Sequence, residues 1–236
     1  MTRLVPCLGG GGAPSLLREL RILYCSSLRE LPDDLHSLNS LEGFTSLREL
    51  EIRNCFGLTN LPIEMVESCA PSLEELILRG LISIRNMGMH SSWNNVSFNE
   101  AVDAMLPQFI SLRSLELFGK EHWDSLPDQL QHLTSLQYLS LKDFGIEALP
   151  EWFGNLSSLK SLTLWNYKKL RHLPSKQAMQ RLSKLTDLWI ARCPLLISNE
   201  KKRSNELPQI VDFEWPKISH IPEIYVDWHR ISSDRH

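Results

Sequence analysis

The stretch LRELEIRNC, residues 47–55, carries a spacing of leucines that returns throughout the chain. Its core pattern, LxxLx[LI], begins at seven positions that are separated by steps of 30, 26, 39, 24, 23 and 26 residues. A spacing that recurs this often predicts a repeat architecture, in which each unit supplies one supersecondary element and neighbouring units stack. The seven starts are Leu17, Leu47, Leu73, Leu112, Leu136, Leu159 and Leu185.

Two further features keep the same phase. An apolar residue stands eleven residues after the first leucine in six units, and Leu-Pro stands thirteen or fourteen residues after it in five. Proline suits the first turn of a short helix or 3₁₀ segment, because it fixes its own φ and lacks an N–H donor. The pattern therefore predicts an α/β fold, a right-handed leucine-rich-repeat solenoid or horseshoe. A parallel β-sheet forms its concave face, and irregular chain, 3₁₀ turns and short helices form its convex side.

The leucine phase also predicts where the strands and the domain boundaries lie. We expect a flexible N-terminal segment at 1–15, a solenoid of about seven repeats at 16–196 and a capping tail at 197–236. The one long step places an insertion at 88–106, with Ser97 and Glu100 spaced as a capping box. In the tail, Ile224, Val226 and Trp228 alternate as a strand does. The seven strands are expected to centre on Leu20, Leu50, Leu76, Leu115, Leu139, Leu162 and Leu188.

The cysteine that ends the opening stretch belongs to a recurring position, the ninth of each unit. Leucine-rich repeats usually carry Asn or Cys there, so we predict buried structural thiols. A catalytic thiol would be a single residue with a base beside it. The five cysteines are odd in number and contain no C-x-x-C, which favours neither a disulfide framework nor a zinc site. The ninth positions are Cys25, Cys55, Leu81, Lys120, Phe144, Tyr167 and Cys193.

Composition excludes several classes of function. The net charge of -3 argues against nucleic acid as a partner, since a phosphate backbone is gripped by excess positive charge. No stretch reaches the roughly 18 apolar residues of a membrane span, and the first residues do not resemble a secretory signal. With unpaired thiols, this favours the cytoplasm. The run GGGGAPS, residues 9–15, lacks the lysine of a phosphate-binding loop, so we expect no nucleotide cofactor. The eight histidines and the carboxylates have no spacing typical of a metal or catalytic site, so we expect neither.

Several motifs together resemble a known family. They are the irregular LxxLxLxxC repeats, the recurring Leu-Pro, and the closing CPLL at 193–196, EWPKI at 214–218 and HIP at 220–222. Over roughly residues 16–228 they are similar to the leucine-rich-repeat end of plant intracellular NB-LRR disease-resistance proteins of the coiled-coil class. The resemblance implies a non-catalytic protein-recognition domain of an immune receptor. Its implied partners are a pathogen effector, a host guarded protein or the receptor's own nucleotide-binding domain.

Other interpretations remain open at this point. An extracellular leucine-rich-repeat receptor would use Asn155, in GNLSSL, as a glycosylated turn, but such arrays keep a stricter period. Substrate-binding repeats of a ubiquitin ligase would need an F-box. The poorly covered front end, residues 1–16, favours the C-terminal piece of a longer array or a truncated gene product.

The repeat phase identifies which side chains point outward on the strands. Aromatic anchors ringed by polar groups are typical of protein-binding hot spots, so we expect four outward rings in successive units to form one protein-binding patch on the concave face. The alternative is that the insertion or the tail covers these rings. The rings are Phe118, Tyr138, Trp165 and Trp189, with Glu116, Lys142 and Asp187 around them, and the earlier units present Glu19, Arg21, Glu49, Glu51, Arg53 and Glu75.

Overall fold

The computed structural model of this chain describes residues 17–25, 27–28, 45–55, 63–79, 106–198, 209–211 and 214–231. The chain divides into two compact units, Met1–Leu115 with Pro127–Leu133, and Glu116–Leu126 with Thr134–His236. The insertion expected at 88–106 lies outside the described residues except for its last one, as do Ser97, Glu100 and the N-terminal segment.

The described part of the first unit is a parallel sheet with short helical segments between its strands. Its strands pair in register, so that Leu20 lies opposite Leu50, and Leu50 lies opposite Leu76. The elements are β1 (Glu19–Leu23), β2 (Glu49–Arg53), α1 (Ile63–Cys69), β3 (Glu75–Arg79), 3₁₀ turns at Leu106–Gln108 and Asp128–His132, and the first two residues of β4 (Ser114–Phe118).

The second unit continues the same arrangement and ends in a hairpin. Its strands also pair in register, with Leu139 opposite Leu162 and Leu162 opposite Leu188. The chain then adds a strand parallel to the last repeat strand, followed by a short antiparallel one. The elements after β4 are β5 (Tyr138–Lys142), a 3₁₀ turn (Glu151–Asn155), β6 (Ser161–Trp165), α2 (Lys176–Arg181), β7 (Asp187–Ala191), β8 (Ile197–Ser198), β9 (Gln209–Ile210), α3 (Trp215–Ile218), β10 (Glu223–Val226) and β11 (His229–Ile231).

The seven strands predicted from the leucine spacing are all present, which confirms the leucine-rich-repeat fold. Each lies one residue further along than expected. In β2, for example, Leu50 and Ile52 are the second and fourth residues, so the strand centres on Glu51 rather than on Leu50. Both side chains are buried, whereas Glu51 is on the opposite, outward face.

Three of the five Leu-Pro steps that keep the repeat phase lie within the described residues, and each opens a segment between strands, as predicted. Pro127 and Pro150 each stand immediately before a five-residue 3₁₀ turn. After the next Leu-Pro, the hydroxyl of Ser175 accepts a hydrogen bond from the amide of Ala178 at 3.2 Å and so caps α2. An N-cap satisfies an amide that the first turn of a helix otherwise leaves without a partner.

The residue after a strand turns the chain inward with a positive φ. Asn and Asp occupy four of these six positions, in keeping with their tolerance of left-handed backbone. The six residues are Tyr24, Asn54, Asp143, Asn166, Arg192 and Asp227. In the first five, the turn places the following residue, the ninth of the repeat, in the buried interior, whereas the residue after Asp227 is exposed.

The thiols at the ninth position are buried structural groups, which confirms the prediction for Cys25, Cys55 and Cys193. The Cys55 thiol donates to the carbonyl oxygen of Ile22 in the preceding repeat and to that of Arg53, both at 3.3 Å. Cys193 donates to the carbonyl of Ala191 at 3.3 Å. Burial raises the pKa of Cys193 to about 11 and raises that of Cys55, so neither is a thiolate at neutral pH.

Cys55→Ala is expected to lower the free energy of unfolding by about 1–2 kcal/mol, because it removes a buried sulfur and its hydrogen bonds to the carbonyls of Ile22 and Arg53. Urea denaturation measures this loss. Mass spectrometry after iodoacetamide treatment should show Cys55 unmodified in the native chain and modified in urea. Equal modification under the two conditions would contradict a buried thiol.

Candidate functional site

The outward face of the sheet in the second unit consists of three rows, because in-register parallel pairing makes equal strand positions neighbours. The first, middle and last rows are formed by the first, third and fifth residues of the strands. The first row is Tyr138, Ser161, Asp187 and Glu223; the middle row is Ser140, Thr163, Trp189 and Tyr225; the last row is Lys142, Trp165 and Ala191.

The four predicted rings are spread over three strand positions and so do not lie in one row. Tyr138 lies in the first row, Trp189 in the middle row and Trp165 in the last row. Phe118 is the fifth residue of β4 and lies beside Lys142, whose Nζ is 4.7 Å from the centroid of its ring. The phase of each ring within its repeat fixes its row, and these four rings have three different phases.

Two of the predicted rings are joined by two rings from the tail. Tyr225, on β10, stacks flat on Trp189 with 3.9 Å between ring centroids and 6° between ring planes. Trp228, in the turn after β10, is tilted against Trp165 with centroids 5.1 Å apart. We call these four side chains the aromatic cluster. The tail thus covers one face of Trp189, while Trp228 itself is 68% exposed.

A pocket of about 320 Å³ opens at the aromatic cluster. Its size lies at the lower end of the range of ligand pockets, about 300–1,000 Å³, so it fits a side chain more readily than a large cofactor. All of the lining residues belong to the second unit. They are Lys142, Thr163, Trp165, Trp189, Ile190, Ala191, Tyr225 and Trp228.

Charged groups border the cluster. Lys142 Nζ donates to the Glu116 carboxylate at 2.6 Å. Two of the predicted polar residues are therefore paired with each other. The guanidinium carbon of Arg192 lies 5.0 Å from the Trp165 ring centroid, a cation–π distance. Desolvation and the neighbouring Glu223 carboxylate raise the pKa of Tyr225, so its phenol is neutral at physiological pH.

The outward face of the first unit is charged. Glu51 forms an ion pair with Arg53 and lies 3.3 Å from Arg21, which also pairs with Glu19. Glu49 is exposed at the start of β2. Because the arginine side chains are partly exposed, each pair contributes little to stability, about 0–1 kcal/mol.

The structure also shows a buried carboxylate that the sequence interpretation missed. Glu214, in the EWPKI motif, is 0% exposed. It accepts from the backbone amide of Leu173 at 2.8 Å and from Lys217 Nζ at 2.9 Å, and lies 3.3 Å from His172 Nδ1. Lys217 Nζ also donates to the Leu173 carbonyl at 3.0 Å. The tail motif is therefore anchored to the Leu-Pro step of an earlier repeat.

The strand in the tail is shorter than the alternation of Ile224, Val226 and Trp228 predicts. Ile224 and Val226 are buried on β10, as the alternation predicted, but Trp228 lies in the turn that follows. The sequence Ile221-x-x-Ile224-x-Val226 has the spacing LxxLxL with other aliphatic residues. With Ile and Val accepted at the leucine positions, the repeat pattern predicts this eighth strand.

Two chemical properties of the described residues bear on function. No three His, Cys, Asp or Glu side chains among them lie close enough together to hold a metal ion. None of the helices that the structure describes is both long and apolar enough to cross a lipid bilayer.

The repeats and the sheet define a leucine-rich-repeat chain, and comparison with known proteins shows similarity to plant disease-resistance proteins. Residues 128–193 match the family described as R13L1/DRL21 LRRs. A probable disease resistance protein of Arabidopsis thaliana is 37% identical over 106 residues, which are 43% of this chain and 12% of that protein. The chain is thus a leucine-rich-repeat region similar to those of plant disease-resistance proteins.

Two further relatives show how far the similarity extends. The Arabidopsis thaliana protein SUPPRESSOR OF npr1-1, CONSTITUTIVE 1 is 31% identical over 156 residues, 63% of this chain and 10% of that protein. The volume-regulated anion channel subunit LRRC8B of Mus musculus is 29% identical over 165 residues, 68% of this chain and 18% of that protein. The chain thus spans less than a fifth of the length of each of these three relatives.

Proposed function

We propose that this chain is a protein-recognition region of a plant immune receptor and that it binds its partners through the outward face of the second unit. The observation that carries the proposal is the aromatic cluster, four rings around one pocket on that face. Resistance proteins among its relatives support a role in plant defence. The function is contact with other proteins rather than catalysis.

Physical reasons favour recognition by this face. A sheet needs its inward leucines for stability, but it does not need large, partly exposed rings on its other face, and a patch of such rings marks an interaction site. Trp and Tyr dominate binding hot spots, because they bury a large area at a small cost in side-chain entropy. The cluster therefore fits the anchor of an interface.

The partners we propose follow from the resemblance to resistance proteins. They are a pathogen effector, a host guarded protein or the nucleotide-binding domain of the same receptor, which this region would hold inactive. Each of these contacts would take place in the cytoplasm, where the unpaired thiols at the ninth position remain reduced.

Trp165→Ala is expected to weaken the binding of a partner by about 2 kcal/mol or more, the size of a truncated hot spot. The melting temperature should change little, because the ring lies on the outward face. Candidate partners are identified by copurification from plant extract, and each purified candidate is then titrated calorimetrically against the wild-type chain and the variant.

Tyr24→Ala is the matched control, since Tyr24 is an exposed ring (74%) outside the aromatic cluster. It should leave the affinity unchanged. If Trp165→Ala unfolds the chain while the affinity per folded molecule stays constant, the ring is structural and the proposal fails.

A further inference from the structure

The two ends of β7, the strand that carries Trp189 of the aromatic cluster, bear opposite charges. Asp187 is the first residue of the strand, and Arg192 directly follows its last residue. Five residues of extended chain separate them by about 16 Å. Trp189 lies between the two charges. A carboxylate, an indole ring and a guanidinium therefore follow one another along this strand.

Among the described residues, the Arg192 guanidinium is a cation of this face that forms no salt bridge. Lys142 pairs with Glu116 at 2.6 Å, and Arg230 pairs with Glu223 at 2.5 Å. Within the described part of the chain, no carboxylate forms a salt bridge with Arg192, whose guanidinium lies over Trp165 and is exposed. A cation held at one place beside a pocket is ready to receive an anion.

The backbone holds Arg192 in an unfavourable conformation. Its φ is 55°, and its amide donates to the Asp227 carboxylate at 2.8 Å. Asn54, Asp143 and Asn166 occupy the equivalent position in other repeats, and Asn and Asp tolerate left-handed backbone at a lower cost than arginine does.

Asp187 is the complementary group at the other end of the strand. Its carboxylate accepts from the hydroxyl of Thr186 at 2.6 Å. Among the described residues it forms no salt bridge with a cation. The charges of Asp187 and Arg192 are too far apart to neutralise one another in water.

We infer that the pocket receives a segment of a partner protein that presents a large apolar side chain between a basic group and a carboxylate. The apolar side chain enters the aromatic cluster, the carboxylate pairs with Arg192, and the basic group pairs with Asp187. This inference rests on the proposed function and adds the chemistry of the partner. Complementary charges also fix the direction in which the segment lies along β7.

A selection from random peptides displayed on phage tests this inference with the intact chain as bait. Peptides selected on the wild type are expected to be enriched in an acidic residue close to Trp, Phe or Leu. For a synthetic copy of a selected peptide, Arg192→Glu should weaken binding about tenfold or more, since it replaces an attraction by a repulsion. Arg171→Glu, a change at an exposed arginine away from this face, is the control and should have no effect.

A charge-swapped peptide, with its acidic residue replaced by lysine, keeps the test independent of folding. It should bind Arg192→Glu better than it binds the wild type. If Arg192→Glu binds the original peptide as tightly as the wild type does, or if no acidic preference emerges, the inference is overturned. If selected peptides bind Trp165→Ala and Trp228→Ala as tightly as the wild type, the face is not the binding surface, and the proposed function fails as well.

Discussion

Gly145→Ala is expected to destabilise the second unit by about 4 kcal/mol or more, at the upper end for a single substitution. A Cβ at this position would overlap the carbonyl oxygen of Glu121 and would stand 2.6 Å from the carbonyl carbon of the same residue. These are backbone atoms and cannot rotate away. The amide of Gly145 also donates to the carbonyl of Trp123 at 2.8 Å, so any shift breaks this hydrogen bond.

Urea denaturation followed by tryptophan fluorescence measures the effect of Gly145→Ala. The control is Glu147→Ala, a substitution of an exposed residue in the same turn. The shift of the urea midpoint caused by Glu147→Ala should be a small fraction of the shift caused by Gly145→Ala. A Gly145→Ala variant with the midpoint of the wild type would show that the two turns do not pack as the structure describes.

Replacing Glu214 by alanine is expected to cost about 3 kcal/mol, because a buried carboxylate that pairs with Lys217 and a backbone amide is lost. The amide of Leu173 would be left buried without its acceptor, and Lys217 would lose its charged partner. Hydrogen exchange at the Leu173 amide should rise by more than the exchange of β6 and β7. The tail would then detach before the repeats unfold.

A graded series checks the explanation for Glu214. Glu214→Gln keeps an acceptor for the Leu173 amide but removes the charge that holds Lys217. Its free energy of unfolding should therefore lie between that of the wild type and that of Glu214→Ala. Equal stability of all three chains would rule out an anchoring role for this carboxylate.

The repeated features of the fold could be predicted from sequence because they depend on local periodicity. Leucines at two-residue spacing, such as Leu162 and Leu164, predict which strand face is buried, and the structure buries both. The burial of the thiols was equally predictable, since Cys55 and Cys193 both occupy the ninth position of their repeats. The strand centres were one residue off because the pattern identifies inward residues and not strand ends.

The features that could not be predicted depend on contacts between distant parts of the chain. Glu214 accepts from an amide 41 positions away, and no local pattern indicates such a partner. Tyr225 and Trp228 complete the aromatic cluster only because β10 pairs with β7. The row of each ring, in contrast, was already given by its phase, so the separation of Tyr138 from Trp165 could have been read from the repeat itself.

The hairpin of β10 and β11 also bears on how this chain avoids aggregation. A parallel strand with an open edge is a template on which another chain can pair. Among the described residues the sheet ends at β11, which runs antiparallel, has three residues and exposes His229 and Arg230. A short, charged edge of reversed direction is a poor template, so the same hairpin that carries Trp228 protects the sheet. Substitutions selected for a new partner at Trp228 are therefore constrained by solubility.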